Sequence, residues 1–74
     1  MADKELDCKG LMCPMPIVKI SKISKEMSSG QTLQVQATDP AFKADVQAWC
    51  TKTGSTLESV NESGDTITAV IKIG

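Results

Sequence analysis

The chain contains no histidine. That removes a Cys–His or Ser–His nucleophile pair and any imidazole metal site. It has no apolar run of about 18 residues, the length at which a stretch becomes a membrane-span candidate. The opening segment MADKELD is charged and has no apolar signal core, so the expected location is cytoplasmic. Neither charge dominates: eight basic and nine acidic side chains leave a net charge of −1. That balance argues against broad electrostatic binding to nucleic acid. There is no repeat, linker or low-complexity segment. The length of 74 residues predicts one domain, 1–74, whose core buries only about 60% of the unfolded surface. It leaves no room for an elaborate enclosed active site.

Thiols are present, and there are three: Cys8, Cys13 and Cys50. An odd count with no secretion signal does not read as a disulfide framework, so reduced thiols are expected. With no histidine, any chemistry at a thiol must draw on backbone, dipole or lysine.

Lys4–Cys8 reads as a strand, with Leu6 and Cys8 on one face. A loop follows, with Gly10 as its turn residue. From Pro14 to Met27 the period becomes helical. Ile17, Ile20, Ile23 and Met27 share a stripe that includes Ser24, opposite Lys19, Lys22, Lys25 and Glu26. Val18 is an exposed exception, and Gly30 is placed to end the helix with positive φ. Thr32–Thr38 alternates as a half-buried strand. Asp39 suits an N-cap and Pro40 the first helical position. Phe42, Val46, Trp49, Cys50 and Thr53 form a second stripe, closed by Gly54. Ser55 to Glu62 is a weaker strand, because Leu57 and Val60 do not share a face. Ser63–Asp65 reads as a hairpin turn, and Thr66–Ile73 as a last strand with its isoleucines on one side. The order βαβαββ implies a two-layer α/β sandwich of the α+β class, with both helices on one sheet face and the other face wet.

In GLMCPMP, Cys13 stands where the first strand's loop feeds the first helix. Taken as the N-cap, it is followed by Pro14 at the first helical position and Pro16 at the third. Proline has no N–H to leave unpaired there, which leaves Met15 and Ile17 as the nearest donors. The helix dipole places roughly half a positive charge at this end, so the Cys13 thiolate is expected to be favoured. Lys9 and Lys19 are candidates to add to that effect. The plainer alternative is a half-buried cysteine whose prolines simply start a helix well.

LDCKGLMCPMPIVK, Leu6 to Lys19, resembles the TusA/SirA/YedF-like sulfur carriers through the pattern L-D-x-x-G-x-x-C-P-x-P. The likeness continues through SSGQTLQVQATDPAFKADVQAWC. It implies a mixed four-stranded sheet with an antiparallel last strand, similar to the C-terminal domain of a translation initiation factor. It implies that Cys13 carries sulfane sulfur as a covalent persulfide, with no other cofactor. The implied partners are a cysteine desulfurase or rhodanese-like donor and, as acceptor, a downstream sulfurtransferase or sulfur-metabolism complex. Neither a membrane nor direct nucleic-acid binding is expected. The chain departs from members that serve tRNA thiolation, where the residue between the prolines is often acidic; here it is Met15. It also ends in KIG, without the double glycine of carriers that use a C-terminal thiocarboxylate.

Gly10, Pro14, Met15 and Pro16 are the expected supporting residues. Cys8 is read as core, with a resolving thiol for Cys13 as its functional alternative. Cys50 is read as core. Lys9, Lys19 and Lys22 are candidate docking residues. The expected role is a carrier, more than an enzyme acting on a small-molecule substrate. The rival is a dithiol redox or regulatory module using Cys8 and Cys13.

Overall fold

The computed structural model describes residues 2–74. The elements run β1 (Lys4–Cys8), α1 (Met15–Ser24), β2 (Thr32–Ala37), α2 (Phe42–Thr53), β3 (Thr56–Ser63) and β4 (Thr66–Lys72). The sheet order is β1-β2-β4-β3. β1 and β2 are parallel, and β4 runs antiparallel to both its neighbours. The sheet is therefore mixed, as the family resemblance implies. The β3–β4 hairpin carries the chain back, so β4 lies between β2 and β3.

Strict alternation sets the sheet's two faces. Leu33, Val35, Ala37, Ile67, Ala69 and Ile71 are buried, while Gln34, Gln36, Thr66 and Thr68 are only partly covered. The helices close the apolar face with Pro16 and Ile20 from α1 and with Phe42, Val46, Trp49 and Cys50 from α2. Phe42, Ile20, Leu33 and Ile71 are among the largest fully buried side chains. Each contributes about 1.5–3 kcal/mol of burial energy. Replacing Phe42 with alanine costs about 3–5 kcal/mol by transfer and cavity terms.

Three local expectations are corrected. α1 stops at Ser24, with Lys25 as its C-cap. Met27 still packs on the core, but from the turn beyond the helix. Gly30 has the positive φ expected of it, +92, but in the turn before β2 and not at the helix end, and there its N–H donates to the Ile73 carbonyl at 2.7 Å. Thr53 is exposed, outside the core stripe of α2.

The conflict in β3 also has a cause. The register with β4 shifts between Leu57 and Ser59, so Leu57 pairs with Ile71 and Val60 with Ala69. A bulge adds one residue and restores the same side to both. Leu57 and Val60 accordingly both pack on the core.

Candidate functional site: a thiol between two carboxylates

Parallel pairing of β1 with β2 matches Cys8 to Ala37. The chain therefore leaves both strands at the same end of the sheet. That juxtaposition brings the Cys13 loop against Thr38 and Asp39. Gly10, at φ +83, donates its N–H to Thr38 Oγ1 at 2.9 Å. Leu11 N–H donates to the Cys8 carbonyl at 3.2 Å. The Cys13 N–H donates to Asp39 Oδ2 at 2.7 Å. Asp39 Oδ1 accepts the Ala41 N–H at 3.2 Å, and its backbone carbonyl accepts the Phe42 N–H at 3.0 Å. Asp39 is only 6% exposed. One buried carboxylate thus ties the cysteine's backbone to the start of α2.

Asp39 is more than the cap the sequence suggests. The N-cap of α2 is Ala41, and the helix begins at Phe42. At α1 the N-cap is Pro14, which places Cys13 one residue outside the helix. The Met15 N–H is already taken by the Met12 carbonyl at 2.8 Å, and the Val18 N–H by the Pro14 carbonyl at 3.0 Å. The Cys13–Pro14 peptide is cis. Pro16 is fully buried, whereas Cys13, Pro14 and Met15 are exposed. The second proline anchors the turn in the core while the residues before it face outward.

Two carboxylates stand beside the thiol, an influence opposite to the expected dipole. Cys13 Sγ and one carboxylate oxygen each of Asp39 and Asp45 lie within 4.8 Å of one another. Asp45, as acceptor of the thiol's hydrogen bond, is the largest cause holding the Cys13 proton more firmly than in a free cysteine. Partial desolvation and the negative charges of Asp45 and Asp39 act in the same direction. Both carboxylates therefore work against the thiolate that the helix end would favour. Lys19 does not offset this: its charge acts on Cys8, against the desolvation that raises the pKa of that thiol. Asp39, Asp45 and Cys13 are also metal-capable donors. Both Asp39 oxygens already accept backbone N–H groups, and we assign the cluster no ion.

Cys8 and Cys50 lie in the core, at 0% and 1% exposure, and burial raises both of their pKa values. Cys8 is wholly buried while Cys13 is exposed, so its position does not favour a resolving role. Lys9 is exposed on the loop, and Lys19 on α1. Lys22 is exposed as well and borders a groove. A hollow of about 300 Å³ opens beside Cys13, bounded by Pro14, Ile17, Asp45, Trp49 and Lys52. It continues between α1 and α2 as a groove of about 560 Å³ floored by Pro14, Ile17, Val18 and Trp49. Lys22, Lys25 and Lys52 rim that groove.

Asp45, Lys52 and the site-facing part of Trp49 are missing from the sequence reading. Asp45 follows Cys13 by 32 positions, and only the packing of α2 beside α1 brings the two together. A usable signal existed for Asp39. Residues just past the ends of adjacent parallel strands meet, and that is where α/β sheets place their sites.

Residues 4–73 match the family described as Sulfurtransferase TusA. The chain belongs to that family. It is 44% identical over 70 residues to the sulfur carrier protein TusA of Allochromatium vinosum, covering 95% of this chain and 92% of that one. It is 45% identical over 73 residues to YrkI of Bacillus subtilis, named as a candidate sulfur carrier, covering 99% of this chain and 97% of that one. A longer Aquifex aeolicus relative, also named as a candidate sulfur carrier, is 41% identical over 71 residues; the match covers 95% of this chain but 36% of that one. The fold matches the crystal structure of a SirA-like protein from Desulfitobacterium hafniense with a TM-score of 0.84. That match covers 96% of this chain and 97% of the other, at 21% identity.

Proposed function

We propose that this protein is a sulfur carrier that takes up sulfane sulfur as a persulfide on Cys13 and passes it to a thiol of a partner protein. One observation carries the assignment: of the three thiols, Cys13 alone is exposed. Its backbone is pinned by a buried carboxylate. The sulfur carrier names of its relatives point the same way.

The exchange balances without an outside oxidant. Cys13, having given up its proton, attacks the terminal sulfur of a donor persulfide R–S–SH. The new Cys13 S–S bond forms as the donor's S–S bond breaks, and R–S⁻ leaves and takes up a proton. In delivery an acceptor thiolate attacks the outer sulfur, and the Cys13 thiolate leaves. Asp45, which accepts the thiol's hydrogen bond, is placed to take the Cys13 proton. The donor is a cysteine desulfurase or a rhodanese-like protein. The acceptor is a sulfurtransferase or sulfur-metabolism complex of the cytoplasm. Because the partner supplies the enclosed site, the carrier needs only a presented thiol. Met15, where relatives that serve tRNA thiolation often carry an acidic residue, weighs against the tRNA route more than against the carrier role.

The test is to expose the protein to inorganic polysulfide and weigh it intact, alongside each Cys→Ser variant. One added sulfur in the wild type, Cys8→Ser and Cys50→Ser, and none in Cys13→Ser, is the expected result. Retention of the added sulfur in Cys13→Ser overturns the assignment.

A further inference from the structure

The groove that leads away from Cys13 has a charge direction. At the thiol end stand Asp39 and Asp45. Farther along lie Lys22 and Lys25, with Lys52 bordering both the hollow and the groove, and no acidic side chain among the described residues lines the groove. Between the lysines the floor is apolar, with Ile17, Val18 and Trp49. Val18 is 47% exposed, although its place on the helix costs water contact to an apolar side chain. Met12 and Met15 continue the apolar surface around the thiol, at 67% and 44% exposure.

We propose that this groove binds an acidic, apolar-anchored segment of the partner protein, which runs from the partner's reactive cysteine at Cys13 toward Lys22 and Lys25. The proposal rests on the carrier reading and adds the chemistry and direction of the partner. Dimensions support it. From Pro14 to Lys25 the helix climbs about 16 Å at 1.5 Å per residue. About five residues of extended chain cover that length. A bulky apolar side chain one or two residues past the partner's cysteine would settle over Ile17 and Trp49. Carboxylates beyond it would meet the lysines. Acidic residues immediately beside the partner's cysteine would instead face Asp45 and be repelled. A nucleic-acid strand fits less well: the chain has no arginine, and its one tryptophan is 9% exposed, with little face to offer a base.

The test uses peptides activated as 2-thiopyridyl mixed disulfides, whose exchange with Cys13 releases pyridine-2-thione. The matched peptide is Cys-Gly-Leu-Glu-Glu-Glu. One comparator replaces its glutamates with lysines; a second, Glu-Glu-Glu-Cys-Gly-Leu, moves them to the other side of the cysteine. At low salt the matched peptide should react about ten-fold or more faster than either, as expected of electrostatic steering. The ratio should collapse toward one in about 1 M salt, where the screening length is about 3 Å. It should also collapse in K22Q/K25Q/K52Q, whose three substitutions lie on exposed positions. Equal rates, a faster lysine peptide, or a ratio that survives the triple substitution overturns the proposal. So does suppression of the exchange by a short oligothymidylate more strongly than by an unactivated acidic peptide. Loading of wild-type protein by inorganic polysulfide tests the carrier reading separately, since it needs no groove.

Discussion

The thiols of the helix–sheet interior and the thiol of the loop before α1 all hold their protons above the ordinary cysteine value, for different reasons. At Cys50 the cause is burial alone, and at Cys8 burial leads. At Cys13 the leading cause is Asp45, supported by Asp39. Burial is fixed for as long as the fold persists. A pair of carboxylates is adjustable, because a partner that engages Asp45 changes what the thiol feels. A sulfur carrier gains from this difference. At Cys13 the carboxylates favour the protonated thiol, and a partner that engaged them would relieve that hold.

The sharpest way to break the comparison is alkylation. Under native conditions iodoacetamide should modify Cys13 alone, and all three thiols after denaturation, read by peptide mass mapping. Native modification of Cys8 or Cys50 at a comparable rate would erase the distinction. Next in size is the staple. Asp39→Ala leaves the Cys13 and Ala41 N–H groups without their carboxylate acceptor. It should cost about 1–3 kcal/mol in urea unfolding. A loss within about 0.5 kcal/mol would mean that Asp39 behaves as an ordinary surface residue. Cys50→Ser should be similarly costly, about 1–3 kcal/mol, because it buries a hydroxyl in an apolar site. Cys13→Ser should stay within about 0.5 kcal/mol.

A subtler sharpening comes from pH. Removing the Asp45 charge removes the largest cause raising the Cys13 pKa, so Asp45→Asn should move the alkylation–pH profile to lower pH. An unchanged or upward-shifted midpoint contradicts the assigned cause. The smallest effect is on stability. Cys8 and Cys50 have raised folded-state pKa values. Above the unfolded cysteine pKa, about 8.5, the unfolded chain therefore holds fewer thiol protons than the folded one. Their contribution is complete below that pH and declines as pH rises through the folded-state values. Cys50→Ala should flatten the alkaline fall in urea midpoint. A fall as steep as in the wild type would exclude Cys50 as a source.

Much of this was legible before any coordinates. Leu33, Val35 and Ala37 alternate with glutamines, and Ile67, Ala69 and Ile71 with polar or partly covered residues. Period-2 burial therefore placed β2 and β4 within a residue of their observed ends. The α1 stripe was visible, but its extension to Met27 was not helical. Burial of Met27 satisfies the same pattern from a turn. β3 resisted because a bulge shifts the phase of the alternation at Glu58, and the pattern carries no mark of it. The thiol's place just before α1 followed from the two prolines, but they left a half-buried cysteine equally open. Its electrostatics did not follow, since the dipole and the neighbouring Lys9 and Lys19 were the only influences visible near it in sequence. The carboxylates that oppose the thiolate arrive from 26 and 32 positions away, through strand pairing and helix packing.

The most direct test follows one sulfur atom. Load the protein with isotopically labelled sulfane sulfur, map it, then add an acceptor thiol and map again. The account predicts label on the peptide containing Cys13, released to the acceptor with the Cys13 thiol regenerated. Label on Cys8 or Cys50, or label on Cys13 that the acceptor cannot remove, would contradict it.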